Sequence, residues 1–169
     1  MISKKLEEAL LDQLNYEFYS AYFYISIASY FASINLEGFE SFMLSQVEEE
    51  QFHTMKFYEY LKERKLRIQF KGIEKPKSDF KSLEDAFSEA LKHEQSITKR
   101  IYHLMDIAVE EREHATVSFL KWFLDEQVEE ESHFDSWLQK IKMVSDNNSA
   151  LWMLDKEAGQ RTFTPPEKV

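Results

Sequence analysis

Two stretches of this chain carry the same short pattern. SQVEEEQFH (Ser45 to His53) holds Glu50 and His53, and EQVEEESHF (Glu126 to Phe134) holds Glu130 and His133. Residues three apart on a helix share a face, so each Glu-x-x-His can offer a carboxylate and an imidazole to one ion. Two more glutamates, Glu17 and Glu94, stand in apolar seams where Leu or Phe would be expected. A buried carboxylate is costly unless it is paired or bound to metal, and these seams carry no basic residue. A divalent cation is the simplest partner. Oxygen donors with an imidazole, in a chain of 0 Cys, suit iron(II), manganese or zinc rather than soft metals. Open positions and Tyr24, two turns beyond Glu17, favour iron and oxygen chemistry.

The elements that must position these groups are long helices. Among 169 residues there are only 3 Gly and 3 Pro, which leaves little turn chemistry. Leu10, Leu14, Glu17, Ala21, Tyr24, Ala28 and Phe31 recur at helical spacing, giving a first helix from about Ser3 to Ser33. A second runs from about Gly38 to Arg64, with Gln46, Glu50, His53 and Phe57 on its seam. A third starts at Ser82, an N-cap followed by Glu84 and Asp85. A fourth covers about His114 to Val144. A short fifth helix, 149–158, follows SDNN and is closed by Gly159, and a loose tail is expected over 160–169. Helices of about thirty residues reach roughly 45 Å. The stretch between the second and third, about seventeen residues, spans roughly 56 Å when extended. It is long enough to join two antiparallel hairpins, so the expectation is one all-α domain over 1–169, with a four-helix bundle over 3–144 and one long crossover.

Composition narrows the function. A formal net charge of −10 argues against general nucleic-acid binding and suits cation traffic. No signal peptide or membrane-length apolar run is visible, so the cytoplasm is the default location.

The fourth helix admits two registers. By eye, Glu130/His133 repeats Glu50/His53, at an offset of 81. An offset of 77 instead maps Glu17 onto Glu94, Glu50 onto Gln127 and His53 onto Glu130, and also aligns Leu14 with Leu91, Ser41 with Ser118 and Phe42 with Phe119. Seam periodicity leaves His133 near the core face. Equal hairpin lengths favour Gln127/Glu130. The site is then Glu17, Glu50, His53, Glu94, Gln127 and Glu130, whose four carboxylates two divalent cations would neutralise.

With these motifs the chain resembles the bacterial non-haem ferritins over essentially its whole length, through LNYEFYSAYFYIS, EEEQFHTMKFYEYL, AFSEALKHEQSIT and HATVSFLKWFLDEQVEEE. The resemblance implies a ferritin-like four-helix bundle and a ferroxidase centre inside each subunit. One iron would be held by Glu17, Glu50 and His53, and the other by Glu94 and Glu130, with Glu50 bridging, Gln127 alongside and Tyr24 beside the centre. It implies a third iron site at Glu49, Glu126 and Glu129, sharing Glu130. It further implies a homo-oligomeric cage of 24 subunits around whose fourfold axes the fifth helix packs. Iron(II) would be oxidised by O2 or H2O2 and stored as a hydrated iron(III) oxide mineral. Departures exclude close relatives: Gln51 stands where bacterioferritins have a haem-ligating Met, so no haem is expected, and a chain without Cys cannot carry the second iron domain of rubrerythrins.

Blander readings stand beside these. Glu48 and Glu131 read as a solvated face, His93, His103 and His114 as surface or packing residues, and Trp122 as packing. Two rivals remain: a di-iron or di-manganese oxidase that stores nothing, and a helical interaction module without metal.

Overall fold

The computed structural model describes residues 2–144 and 146–166. These form α1 (Lys4–Ser33), α2 (Glu37–Glu63), α3 (Leu83–Glu110), α4 (His114–Val144) and α5 (Asn148–Ala158). Ser145 of the SDNN segment, and residues 167–169 of the expected tail, lie outside the described residues. No strand occurs among those described. The fold is an all-α four-helix bundle of two packed pairs, α1 with α2 and α3 with α4, closed at one end by α5.

Each helix start has an identifiable acceptor for its free N–H groups. Ser3, Ser82 and Asn147 accept from Leu6, Asp85 and Ala150 at 3.0–3.1 Å, each cap being worth about 1 kcal/mol. Glu113 does the same for α4, accepting from the Thr116 N–H at 2.9 Å. α2 is different. Its cap position is Leu36, which has no side-chain acceptor. Asp155 of α5 supplies one instead, taking the Phe39 N–H at 3.0 Å. Gly38 makes this approach possible, because a Cβ there would lie 1.7 Å from the Asp155 carbonyl oxygen.

α5 is closed by Gly159, but the ends of α1, α2 and α3 are made without glycine. Asn35, Lys65 and Arg112 take positive φ of 60°, 56° and 54°. Behind each, an N–H reaches back to a carbonyl in the last turn: Leu36 to Phe31, Leu66 to Leu61 and Glu113 to Ala108. These are the bonds of the Schellman motif, formed by residues that adopt the left-handed region at some cost.

The crossover lies along α1. Near Asp12 and Asn15 the Lys71 N–H donates to Asn15 Oδ1 at 2.8 Å, and Lys71 Nζ pairs with Asp12 at 2.8 Å. Further along, Ser26 donates to the Lys77 carbonyl at 2.9 Å. Buried Pro76 and Phe80 pin the rest.

The core is two apolar plugs. One gathers Phe31, Phe39, Phe42, Phe87, Phe134 and Trp137, and the other Leu10, Leu14, Phe57, Ile101, Leu104 and Phe123. Between them, at mid-height, all four long helices contribute polar residues.

The tail departs from expectation. Arg161 and Phe163 are half-buried while Thr162 and Thr164 are exposed, so the chain returns over the α2–α4 face as an extended strap. Phe163 packs on Phe52 at 5.7 Å between ring centroids. Arg161 lies 4.5 Å from the Phe42 ring centre. A sequence of polar residues, Thr and Pro reads as loose, but these two anchors find partners on α2.

Candidate metal centre

The polar layer is assembled from helix interiors rather than loops. Glu17 comes from α1, Glu50 and His53 from α2, Glu94 from α3, and Gln127 and Glu130 from α4, and none is more than 4 % exposed. A donor from each of Glu17, Glu50 and His53 lies within 4.8 Å of the others. His53 Nδ1 is 3.6 Å from Glu50 Oε2.

Two glutamines orient the acids from one turn earlier. Gln13 Nε2 donates to Glu17 Oε1 at 2.7 Å and Gln46 Nε2 to Glu50 Oε1 at 3.0 Å. Gln13 is itself turned by Arg100, whose Nε donates to its amide oxygen at 2.8 Å. The sequence puts Gln46 on the α2 seam without a role and does not mark Gln13, although each lies four positions before a seam glutamate, a spacing that places side chains in contact. After these bonds, Glu17 Oε2, Glu50 Oε2 and His53 Nε2 remain buried without a hydrogen-bond partner. Such orphans are rare in folded proteins and call for an explanation such as an ion.

The α3–α4 side is arranged otherwise. Tyr24 donates its hydroxyl to Glu94 Oε1. Gln127 Nε2 donates to Glu94 Oε2 and to the Glu94 carbonyl, both at 3.2 Å. Both oxygens of Glu94 are therefore occupied, while Glu130 Oε2 is an orphan.

Burial dominates the electrostatics. It pushes Glu17 up to about 8, the neighbouring Glu50 charge adding to the rise. Glu50 also rises to about 8 through burial. Glu94 and Glu130 rise well above the usual carboxylate range for the same reason, each raised further by a neighbouring glutamate. Tyr24 is raised by burial and then by the Glu94 charge. Four acids that cannot all ionise together will hold protons until a cation displaces them.

Donors of Glu49, His53 and Glu126 form a second group within 4.8 Å. Glu49 Oε2 already accepts from Arg161 Nη2 at 2.7 Å, a basic partner that sequence reasoning about the seams did not anticipate. Glu129 is exposed and lines the same depression as Glu49, Glu126 and Glu130 without joining the tight group.

His133 is engaged elsewhere. Its Nε2 accepts from Trp137 Nε1–H at 3.0 Å, its ring lies 5.3 Å from Phe42, and burial pushes it down to about 4. His93 is buried, with Nε2 2.9 Å from Ser20 Oγ. Trp122 packs edge-to-face on His53 at 5.4 Å. Glu48 is exposed, and Glu131 is hydrogen-bonded to Thr98.

The chain matches known proteins across this whole architecture. A family profile described as "Ferritin-like domain" covers residues 7–144. A bacterial non-haem ferritin of Staphylococcus aureus (strain USA300) is 43% identical over 163 residues, 96% of this chain and 98% of its own length. That of Staphylococcus haemolyticus is 42% identical over the same shares. Among solved structures, a humanized archaeal ferritin superposes with a TM-score of 0.96 at 44% identity, covering 98% of this chain and 100% of that one. An open-pore ferritin from the archaeon Archaeoglobus fulgidus gives 0.94 at 42%, covering 96% and 100%. Likeness of this extent, on a bundle whose four helices each bring a polar group to one buried layer, makes the chain a member of the ferritin family, alongside its bacterial non-haem members.

Proposed function

We propose that the buried layer is a ferroxidase centre that takes two iron(II) ions as substrate. Glu17, Glu50 and His53 hold one and Glu94 and Glu130 the other, with Glu50 between them and Gln127 and Tyr24 beside Glu94. The observation that carries this reading is the set of buried carboxylate oxygens left without a hydrogen bond, Glu17 Oε2, Glu50 Oε2 and Glu130 Oε2, with His53 Nδ1 3.6 Å from Glu50 Oε2. Two divalent ions would neutralise four carboxylates and displace the protons that burial keeps on them.

The chain's residues then do three things. Gln13 and Gln46 fix one oxygen of Glu17 and of Glu50, leaving the other free to bind. The two apolar plugs limit water at the layer and keep the carboxylates strong ligands. Tyr24 and Gln127 hold Glu94 until the second ion takes their place. Each iron(II) gives one electron to the oxidant, O2 or H2O2. The reading extends to a cytoplasmic iron store, a single domain that assembles into a 24-subunit cage, where iron(III) leaves the layer for a hydrated oxide mineral. Glu49, Glu126 and Glu129, with Glu130, form a third position on that route.

The test is anomalous diffraction from iron-soaked crystals, with oxidation followed by rapid mixing. Iron peaks are expected within bonding distance of Glu17, Glu50, His53, Glu94 and Glu130, and lost together with fast oxidation in Glu17→Ala. Iron found only on exposed acids, with oxidation unaltered by that change, would falsify the assignment. Sizing separates a cage from a dimeric oxidase that stores nothing.

A further inference from the structure

Beside the buried layer, on the α2–α4 face, the third position of the proposed route meets the end of the chain. Glu49 belongs to the group with His53 and Glu126, yet its carboxylate is already paired. Arg161 Nη2 holds Glu49 Oε2 at 2.7 Å, and the two side chains are only 15% and 12% exposed. The guanidinium also lies over Phe42 at 4.5 Å and points Nη1 at the Phe42 carbonyl at 3.4 Å. Meanwhile His53 Nε2 is buried and unpartnered, while its Nδ1 lies on the Glu50 side. An imidazole with a free nitrogen beside two carboxylates is a donor set for a divalent ion. One of those carboxylates is taken by a positive charge from the far end of the chain.

The geometry points to Arg161 as a tethered cation that competes with metal for Glu49, so that the position framed by Glu49, His53 and Glu126 opens only when the 160–166 strap lifts. This deepens the proposed function and rests on it. A guanidinium keeps its charge at all working pH, so the lock does not open by deprotonation of Arg161; a cation must displace it. Arg161 makes one charged contact, one weak carbonyl contact and one ring contact. A dication gains Glu49 and Glu126 together, with His53 Nε2 as a third donor while Nδ1 holds no ion, and can win the exchange. Monovalent ions lack the charge, and magnesium gives up its water reluctantly. Arg161 is thus a selectivity residue for ions passing between the buried centre and the α2–α4 face. Linkage makes the effect reciprocal: an ion at Glu49 must loosen the strap as much as the strap weakens the ion.

The experiment uses the assembled protein and zinc(II), which is not oxidised. Calorimetric titration is run on the wild type and on Arg161→Gln, Arg161→Lys, Phe163→Ala and Glu49→Gln. A weaker zinc event that depends on Glu49 is expected, tightened about tenfold in Arg161→Gln, since a charge-assisted contact no longer opposes it. Arg161→Lys, which keeps the cation, should stay near the wild type, and Phe163→Ala should gain less than Arg161→Gln. In the wild type, zinc should speed amide exchange across residues 160–164. An unchanged or weakened zinc event in Arg161→Gln overturns the inference. So does an equal gain in Arg161→Lys or Phe163→Ala, which would assign the effect to the bulk of the strap rather than to charge. If zinc still binds in a way that Glu17→Gln removes, only this inference falls; if no zinc binds at all, the proposed function falls with it.

Discussion

The two halves of the buried layer answer the same problem differently. On the α1–α2 side, Glu17, Glu50 and His53 present free donor atoms already within 4.8 Å of one another. On the α3–α4 side, Glu94 has both oxygens occupied, by Tyr24 and Gln127, and only Glu130 has an orphaned one. The hairpins occupy equivalent registers, yet the histidine of the first has a glutamate as its counterpart in the second. One half is assembled before an ion arrives; the other must exchange hydrogen bonds for an ion. Preorganisation of this kind separates affinities even when charge is equal, so the α1–α2 half should fill first.

Four experiments can break or sharpen that contrast. The largest effect belongs to Glu50, which faces both halves: Glu50→Ala should slow iron(II) oxidation on the order of 100-fold or more, with assembly intact by sizing. A variant that oxidises at the normal rate would remove Glu50 from the centre. Glu94→Gln should strike one half only. Zinc titration should retain the tight event at Glu17, Glu50 and His53 while the second weakens by about tenfold; equal loss of both would mean that the halves do not fill independently.

The third experiment uses pH on metal-free protein. Glu17 and Glu50 bind protons up to about 8 in the folded state, against an ordinary value of 4.5. A folded state that holds more protons loses stability as pH rises. The contribution is complete below 4.5 and gone once pH passes about 8. Thermal midpoints of the metal-free protein should therefore fall across that window, zinc-loaded protein should fall less, and Glu17→Gln should flatten the slope. A metal-free midpoint that climbs through the window would contradict the burial argument. The smallest effect is expected from His133→Ala, which removes a bond to Trp137 worth about 1 kcal/mol and should leave oxidation within about twofold. If it slowed oxidation as much as His53→Ala, the fourth-helix register would have to move by one turn.

Much of this was legible in the chain because helices repeat. Glutamates in apolar seams stand out against a period of Leu and Phe, and the paired offset drew Gln127 and Glu130 into consideration before His133 was found against Trp137. Gln13 and Gln46 stand in the same spacing, but without charge neither suggested an orienting role. Helix ends were harder. Asn35, Lys65 and Arg112 enter the left-handed region without glycine, so composition understates how many turns the chain can make. Arg161 was illegible for another reason. Its partner Glu49 is 112 residues away, and no periodicity connects a tail to a helix face. Local rules read what a helix does to itself; contacts made by the last residues of a chain depend on the finished fold.

The remote cap on α2 bears on how the molecule is made. Phe39 waits for Asp155, 116 residues later in the chain, and Leu36 offers no substitute of its own. During synthesis the first hairpin emerges with the start of its second helix unsatisfied, and only when the α5 segment leaves the ribosome can that end be sealed. The fifth helix therefore supplies the last acceptor that the second helix needs. A chain interrupted before Asp155 would carry its seam glutamates yet leave the Phe39 N–H without its side-chain acceptor.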